Sequence, residues 1–268
     1  EECVEHGMKC AVRHKCYRGS RLQSFVSSAI LQIHRLLGTY YRVNFICLTD
    51  FNREKLLSSL NPAKKIVNPA RIYIKPNFTF AEGIRPVPKQ PKEKYFLFAG
   101  RIEALKGIDI AIKAFEMLPE ETLYIAGSGP LEPEMKEYVK ERGIKNITFL
   151  GYLQKEQMKE KFYHAKAVIM TSQCYEAFAM TIAEAYSYGV PVIAGRVGNM
   201  EGMVNDGVTG VKFTYDSAAD LAEKVREFNG MDLMKLKENA RKFYETRLRP
   251  EDNYRKLIDI YESISSES

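Results

Sequence analysis

Apolar runs alternate with amphipathic stretches along most of the chain. Six compact apolar runs predict strands, at YFLFAG, TLYIAG, ITFLG, AVIM, VPVIAG and VKF. Between or after them, apolar residues recur at helical spacing in GIDIAIKAFEML, LEPEMKEYVKERG, QKEQMKEKFYHA, MTIAEAYSYG and SAADLAEKVREF, with a weaker signal around NMEGMV. Two more helices, MDLMKLKENARKFYETR and PEDNYRKLIDIYESI, follow and are divided by Pro250. Strands this continuously apolar, alternating with helices, predict an α/β fold with a parallel sheet covered on both faces.

The first third of the chain has fewer elements. RLQSFVSSAILQIHRLLG places apolar residues at the helical period and predicts one strong helix. VNFICLTD predicts a strand, FNREKLLSSL predicts a short helix capped by Asp50 or Asn52, and RIYIKPNF predicts a strand that Pro76 ends. PVPKQPKEK at 86–94 contains three prolines and a charge run, which indicate a break. These elements are too few for an independent α/β domain, so we expect the last portion of one.

Length and composition are those of a folded protein with more than one domain. The chain has 268 residues, of which 45% are hydrophobic and 28% charged. No apolar run approaches the ~18 residues that a membrane-spanning helix needs. The start, EECVEHGMKC, has neither an initiator Met nor the apolar core of a signal peptide. We therefore expect the chain to begin inside a larger protein.

The positive charge is concentrated in the first third. Residues 1–90 carry 15 Lys and Arg against 6 Asp and Glu, whereas the remainder carries 25 against 28. A solvated basic face is one interpretation. A surface that attracts anionic lipid or a phosphorylated acceptor is the other. The basic residues are not interleaved with an aromatic platform, so the composition does not favour a nucleic-acid partner.

Three of the five cysteines, Cys3, Cys10 and Cys16, lie close together in the sequence. Zinc and iron–sulfur sites have paired close spacings and a fourth ligand, which this spacing does not show. We therefore expect no metal site, and reduced thiols that fit a cytosolic compartment.

Candidate binding residues follow the predicted strands, where ligands of parallel sheets bind. Gly100 and Arg101 follow the first strand of the second region, and Lys106 precedes the next helix. Glycine permits close approach of the backbone, while Arg and Lys bind phosphate oxygens. Gly127 and Gly129 follow the second strand, in GSGP. A routine strand-to-helix loop or a tight turn explains each segment equally well, and the third glycine of a dinucleotide fingerprint is missing.

CYEAFAMTIAEA contains two glutamates, Glu176 and Glu184, in an otherwise small and apolar run. A helix that starts near Met180 would place Glu176 on the preceding loop and Glu184 within the first turns. The free N–H groups at 177–181 would favour an anion, and a carboxylate can accept from the hydroxyls of a ribose. Each glutamate also has a routine explanation, as an exposed helical residue or as an acid placed for the helix dipole. Together with the basic residues above, the pair favours a binding site.

Residues 95–213 resemble the C-terminal, donor-binding domain of the retaining family-4 glycosyltransferases. FAGRIEALKGIDIAIKAF, the GSGP turn, FLGYL and the spaced glutamates occur in that family's order. Residues 1–78 resemble the end of its N-terminal domain. The resemblance implies a GT-B fold, in which a Rossmann-like parallel-sheet domain at 91–248 follows the last part of an N-terminal, acceptor-side α/β domain and linker at 1–90. A C-terminal crossover helix at 249–268 is also implied.

The resemblance assigns roles to individual residues. Arg101 and Lys106 match the basic pair that holds the diphosphate of a sugar nucleotide, Glu184 the carboxylate that binds the ribose, and Glu176 the glutamate that contacts the transferred sugar. Neutralising Glu184 is then expected to weaken binding of a free nucleoside diphosphate, whereas neutralising Glu176 is expected to leave it intact. The remaining donor-binding residues that the resemblance implies are Gly100, Gly127, Gly129, Tyr152, Leu153, Ala177, Phe178, Ala179 and Met180.

Two departures from the family pattern limit this assignment. The family commonly has glycine where this chain has Ala179. It also has a Gly-Gly pair and an acidic residue where this chain has Gly198, Asn199 and Gly202, with Glu201 one position early. The resemblance therefore does not extend to the contacts of this last loop with the donor.

The activity implied is transfer of a sugar from a nucleotide-diphosphate sugar to a glycan or lipid-linked acceptor, with retained configuration. Similarity to mannosyltransferases of polysaccharide assembly favours mannose. Fixed donors can stabilise the charge of the leaving diphosphate, so no metal or other cofactor is expected. The expected location is cytoplasmic, with peripheral contact to the inner face of an anionic membrane through the basic segment.

Two other classes make different predictions about ligands, and the residues favour both of them less. A non-catalytic nucleotide-sugar-binding module would bind the donor without transfer. An NAD oxidoreductase would need the missing glycine and an acidic residue about 20 positions on. Because the first region holds only part of an α/β domain, the chain is expected to bind sugar nucleotide and to transfer sugar poorly.

Overall fold

A computed structural model describes residues 9–60, 66–80 and 95–266. The chain forms two compact units, Glu1–Lys75 and Pro76–Ser268. Cys3 and the predicted break at PVPKQPKEK lie outside the described residues. The domain boundaries expected at residues 90 and 248 stay a prediction.

The first unit contains a small parallel sheet. Strand β1 (Phe45–Cys47) pairs with β2 (Ile72–Ile74) in parallel, with Phe45 opposite Ile72 and Cys47 opposite Ile74. A small cluster of buried side chains, Cys47, Ile66, Val67 and Ile72, packs at this sheet. The strong helix and both strands predicted here are confirmed, and the structure adds two short helices and a 3₁₀ turn. The elements are α1 (Lys9–Arg13), α2 (Arg21–Leu36), α3 (Thr39–Arg42), β1 (Phe45–Cys47), α4 (Asp50–Leu60), the 3₁₀ turn Pro69–Arg71, and β2 (Ile72–Ile74).

The cap of α4 differs from the prediction. The helix begins at Asp50, so Thr49 holds the capping position. Thr49 Oγ1 accepts from the backbone N–H of Asn52 at 3.1 Å. Neither Asp50 nor Asn52 is therefore the cap, because both already belong to the first turn.

The second unit alternates strands with helices, as the apolar pattern predicts. Its sheet has six strands, which are β3 (Tyr95–Ala99), β4 (Thr122–Ala126), β5 (Ile147–Gly151), β6 (Ala167–Met170), β7 (Val192–Gly195) and β8 (Gly210–Phe213). All are parallel, and their order in the sheet is β5-β4-β3-β6-β7-β8. The weak signal around NMEGMV corresponds to a short helix, and Pro250 is the first residue of the last helix. The elements are β3 (Tyr95–Ala99), the 3₁₀ turn Ala104–Lys106, α5 (Ile108–Glu116), β4 (Thr122–Ala126), α6 (Glu132–Glu141), β5 (Ile147–Gly151), α7 (Lys155–His164), β6 (Ala167–Met170), α8 (Met180–Ser187), β7 (Val192–Gly195), α9 (Gly198–Met203), β8 (Gly210–Phe213), α10 (Ala218–Asn229), α11 (Leu233–Arg247) and α12 (Pro250–Ser266).

The core lies against the central strands of this sheet. Every residue of β6 and β7 is buried. The ring of Phe96 on β3 packs against Phe115 of α5 and Phe228 of α10, with ring centroids 5.5 and 6.0 Å apart. Burial on both faces explains why these strands are apolar without alternation.

The strand order creates a crevice at one edge of the sheet. From β3 the chain moves outward through β4 and β5, then returns to place β6 on the other side of β3. The chain therefore leaves the neighbouring strands β3 and β6 in opposite directions, towards β4 and towards β7. Such a place is a topological switch point, where ligands of parallel sheets bind.

The segment before β3 is joined to the C-terminal helices within the second unit. The Tyr244 hydroxyl donates to Thr79 O at 3.0 Å, and the Thr79 N–H donates to Leu248 O at 3.3 Å. The Asn253 side-chain amide donates to Pro76 O. These bonds explain why the second unit begins at Pro76. Within the described ranges, no helix combines the length and apolar character needed to cross a bilayer.

Candidate functional site

A cavity of about 460 Å³ lies at the carboxyl ends of β3, β4 and β5 and beside α7 and α8. Glycines and a charged residue from the strand-end loops meet apolar and acidic side chains from the two helices. Six of the lining residues are among the donor-binding residues predicted from the sequence. The full lining is Ala99, Gly100, Arg101, Ala126, Gly127, Ser128, Tyr152, Leu153, Met158, Phe162, Thr181 and Glu184.

The glycines of the GSGP turn let two loops pack backbone against backbone. Gly127 has φ +139°, and a Cβ there would lie 1.9 Å from Gly100 O. A Cβ on Gly129 would lie 2.4 Å from Ile102 O. A Cβ on Gly100 itself would touch only a ring atom of Phe98, at 3.9 Å. Positions 127 and 129 thus require glycine because the two loops touch each other there. The sequence alone does not show whether such a glycine makes room for another loop or for a ligand.

The loop after β3 is fixed against the loop after β6. Lys106 ends a 3₁₀ turn, and its carbonyl accepts from Thr171 Oγ1 at 2.8 Å. The Gln173 N–H donates to Leu105 O at 2.8 Å. Gly107 has φ +63°, and a Cβ there would lie 2.1 Å from Thr171 O. These contacts bring two segments more than sixty residues apart into one site.

Lys106 and Glu176 are in direct contact. Lys106 Nζ lies 2.5 Å from Glu176 Oε1, and Ser172 Oγ donates to the same oxygen at 2.7 Å. Arg101, in contrast, has a side chain 70% exposed and lies 3.5 Å from Glu103. The resemblance predicts Lys106 beside the diphosphate and Glu176 beside the sugar, but the ion pair between them is not predicted by the sequence.

The two glutamates take the positions expected of them. The helix begins at Met180, so Glu176 lies on the loop and Glu184 is the fifth residue of α8. Glu184 lines the cavity, and burial raises the pKa of its carboxyl group. Glu176 and Lys106 are not among the residues that line this described cavity. Lys106 follows β3 on the loop that carries Gly100 and Arg101, whereas Glu176 lies on the loop after β6, which leads into α8.

The loop that joins Glu176 to α8 is fixed by burial of its side chains and by hydrogen bonds from Asn199. Phe178 and Ala179 are buried, whereas Ala177 is exposed. The expectation of free N–H groups at 177–181 is wrong for Met180, whose N–H donates to Phe178 O at 2.8 Å. Asn199 is also buried, and its side-chain amide donates to the carbonyls of both Glu176 and Ala177.

Asn199 lies where the sequence departs from the family pattern, and no local signal identified its role. Tyr152 and Leu153 follow β5 and line the cavity, Tyr152 being exposed. Met158 and Phe162 were not predicted as site residues. Their spacing of four on a predicted helix places them on one face and was a usable signal. Among the described residues, no group of three or more His, Cys, Asp or Glu is arranged to hold a metal ion.

Comparison with known sequences identifies the family. The model of the family Glycosyl transferases group 1 matches residues 80–243. An uncharacterized glycosyltransferase of Methanocaldococcus jannaschii is 29% identical over 189 residues, which cover 65% of this chain and 48% of that protein. The O-antigen chain mannosyltransferase C of Escherichia coli is 28% identical over 178 residues, covering 64% and 47%. The chain therefore spans about half the length of these relatives.

Comparison with solved structures supports the fold. The crystal structure of Anabaena HepE in complex with UDP and glucose superposes with a TM-score of 0.71 at 18% identity, over 88% of this chain and 66% of that one. This likeness confirms the predicted α/β architecture of GT-B type. Since the family model covers more than half of the chain, this protein belongs to the family Glycosyl transferases group 1.

Proposed function

We propose that this chain provides the donor-binding part of a glycosyltransferase that uses a nucleotide-diphosphate sugar. The cavity at the switch point carries this proposal, because it brings Arg101, Tyr152 and Glu184 around one space. A guanidinium, an aromatic ring and a buried carboxylate are suited to a phosphate, a base and a ribose respectively.

Glu184 binds the ribose in this proposal. Burial raises the pKa of its carboxyl group, which means that the ionised form has lost solvating water. Two hydroxyls of a ribose can replace that water as hydrogen-bond donors. Tyr152 and Leu153 then lie beside the base, with Met158 and Phe162 providing apolar contact.

Arg101 and Lys106 stabilise the negative charge that develops on the leaving diphosphate, together with the N-terminus of α8. Fixed donors of this kind act without reorganising during the reaction, and in this proposal no metal ion is needed. Glu176 contacts the transferred sugar from the loop that Asn199 holds. Transfer proceeds with retained configuration.

The sugar and the acceptor follow from less specific observations. The mannosyltransferase among the relatives supports mannose. Described residues 9–49 contain seven Lys and Arg and neither Asp nor Glu. This charge supports an anionic glycan or lipid-linked acceptor, and peripheral contact with the inner face of an anionic membrane.

Calorimetric titration with UDP, GDP and ADP tests the proposal. We expect at least one of them to bind, and Arg101→Ala to weaken that binding about tenfold, because a charge-assisted hydrogen bond is lost. Glu184→Gln is expected to weaken it as well, through the ribose.

Arg255→Ala is a matched control for the change at Arg101. The Arg255 side chain is 74% exposed and lies 3.6 Å from Asp252, on a helix outside the cavity lining. Its removal should leave nucleotide affinity unchanged. Equal effects of the two arginine changes, or no binding of any of the three nucleotides, would contradict the proposal.

A further inference from the structure

The ion pair between Lys106 and Glu176 is partly withdrawn from solvent. Their side chains are 29% and 17% exposed, and Lys106 Nζ lies 2.5 Å from Glu176 Oε1. Ser172 Oγ donates to that same oxygen at 2.7 Å. Because water and salt screen such a pair less than an exposed one, its charges influence neighbouring groups more strongly.

The backbone carbonyl of each residue in this pair accepts a hydrogen bond from another side chain. The Lys106 carbonyl accepts from Thr171 Oγ1, and the Glu176 carbonyl accepts from Asn199. The two strand-end loops that carry these side chains are therefore fixed by contacts besides the ion pair.

A diphosphate that contacts Lys106 must share it with Glu176. The ammonium group would then face the carboxylate on one side and phosphate oxygens on the other. The two anions repel each other, and binding must weaken the existing ion pair. Arg101 is under no comparable constraint, since its side chain is mostly exposed and its contact with Glu103 spans 3.5 Å.

We propose that Glu176 lowers the affinity of this site for a free nucleoside diphosphate by competing for Lys106. The inference rests on the proposed function. An intact donor brings sugar hydroxyls that can donate to the Glu176 carboxylate and offset the competition. The nucleoside diphosphate product has no sugar, so Glu176 retains Lys106 and favours release of the product.

This inference replaces the expectation that neutralising Glu176 leaves nucleotide binding intact. We expect Glu176→Gln to bind whichever of UDP, GDP and ADP the wild-type chain prefers about three- to tenfold more tightly than the wild-type chain does. Lys106→Gln should bind it more weakly. In the Lys106→Gln background, Glu176→Gln should raise the affinity for the nucleotide by less than about twofold, because the two side chains act through one contact.

Glu121→Gln is the matched control. Glu121 pairs with Lys166 at 2.9 Å, with side chains 14% and 15% exposed. These residues precede β4 and β6, at the opposite edge of the sheet, so their neutralisation should not change nucleotide affinity. Glu176→Ala provides a second neutral variant, and thermal melting checks that each protein is folded.

Calorimetry with UDP, GDP and ADP on all variants tests this inference. Unchanged or weaker affinity in both neutral variants at 176 would overturn the inference, as would an equal gain without Lys106. If the wild-type chain binds none of the three nucleotides, the proposed function fails and this inference fails with it. If the wild-type chain binds one but Glu176→Gln changes nothing, only the competition for Lys106 is refuted.

Discussion

At the residue scale, Lys237 on α11 is a buried charge that the proposed chemistry does not use. Its side chain is fully buried, and within the described part of the chain its Nζ atom has no hydrogen-bond partner. Burial lowers the pKa of Lys237 to about 8. An ammonium group in such a position destabilises the folded state, because its lost hydration is not replaced.

Replacing Lys237 by Met should therefore stabilise the protein near neutral pH. The folded-state pKa is about 8 against an ordinary 10.5, so the cost of the charge is complete below pH 8 and fades as the pH rises towards 10.5. Lys237→Met should raise the free energy of unfolding by roughly 3 kcal/mol at pH 7 and by much less at pH 10. Urea unfolding at both pH values measures this.

The neighbouring Lys235 is exposed on the same helix and provides the control for this change. Lys235→Met should alter stability little at either pH. A stabilisation by Lys237→Met that is the same at pH 7 and pH 10 would attribute the effect to packing and not to the buried charge.

At the scale of single elements, α2 is an amphipathic helix whose apolar residues face solvent. Leu22 is 73% and Leu36 78% exposed, and Phe25, Ile30 and Ile33 are exposed as well. The segment that contains this helix carries basic residues and no acidic ones between 9 and 49. Apolar side chains combined with positive charge are typical of helices that lie in the surface of an anionic bilayer.

The chain should therefore sediment with vesicles that contain phosphatidylglycerol and much less with vesicles of phosphatidylcholine alone. Replacing Phe25 and Leu36 together by Ser should reduce the bound fraction, since apolar area is lost from the helix. Replacing the exposed Gln23 and Gln32 by Ser is the control and should leave the bound fraction unchanged. Equal sedimentation with both lipids would refute an electrostatic contact. A dimer that the Phe25 and Leu36 changes dissociate would assign this surface to a second copy of the chain.

At the scale of the whole molecule, the second unit contains the entire cavity and its own core. Every residue that lines the cavity lies between Ala99 and Glu184. The main cluster of buried apolar side chains runs from Phe96 to Leu236 and also lies within Pro76–Ser268. Nucleotide binding should therefore not depend on the first unit.

A protein consisting of residues 76–268 should fold and bind the preferred nucleoside diphosphate with a dissociation constant within about twofold of the full chain, since its binding groups are all retained. Calorimetry on the two proteins, each with and without Arg101→Ala, measures this. An affinity reduced tenfold or more in the shorter protein would show that the first unit contributes to binding of the nucleotide.

Local pattern was sufficient to determine the longer helices, the strands and the positions of the two glutamates, but not the short helices Lys9–Arg13 and Thr39–Arg42. The continuous apolar runs predict β3, β6 and β7 because those strands are buried on both faces, and this pattern is written in consecutive residues. The same reasoning places the start of α8 at Met180, and so Glu176 on the loop and Glu184 in the helix. Local pattern did not identify Thr49 as the cap of α4. A shift of one residue in the start of the helix changes which side-chain oxygen can accept a hydrogen bond from the first-turn N–H groups.

Contacts between distant segments were decided only by the tertiary structure. Lys106 and Glu176 are seventy residues apart, and they meet because β3 and β6 are neighbours in the sheet. The need for glycine at 127 arises from the Gly100 carbonyl of another loop, and the role of Asn199 arises from carbonyls more than twenty residues earlier. Periodicity records which face of an element is buried, but it does not record which element lies against that face. That choice depends on the order of the strands and on the packing of all of them together.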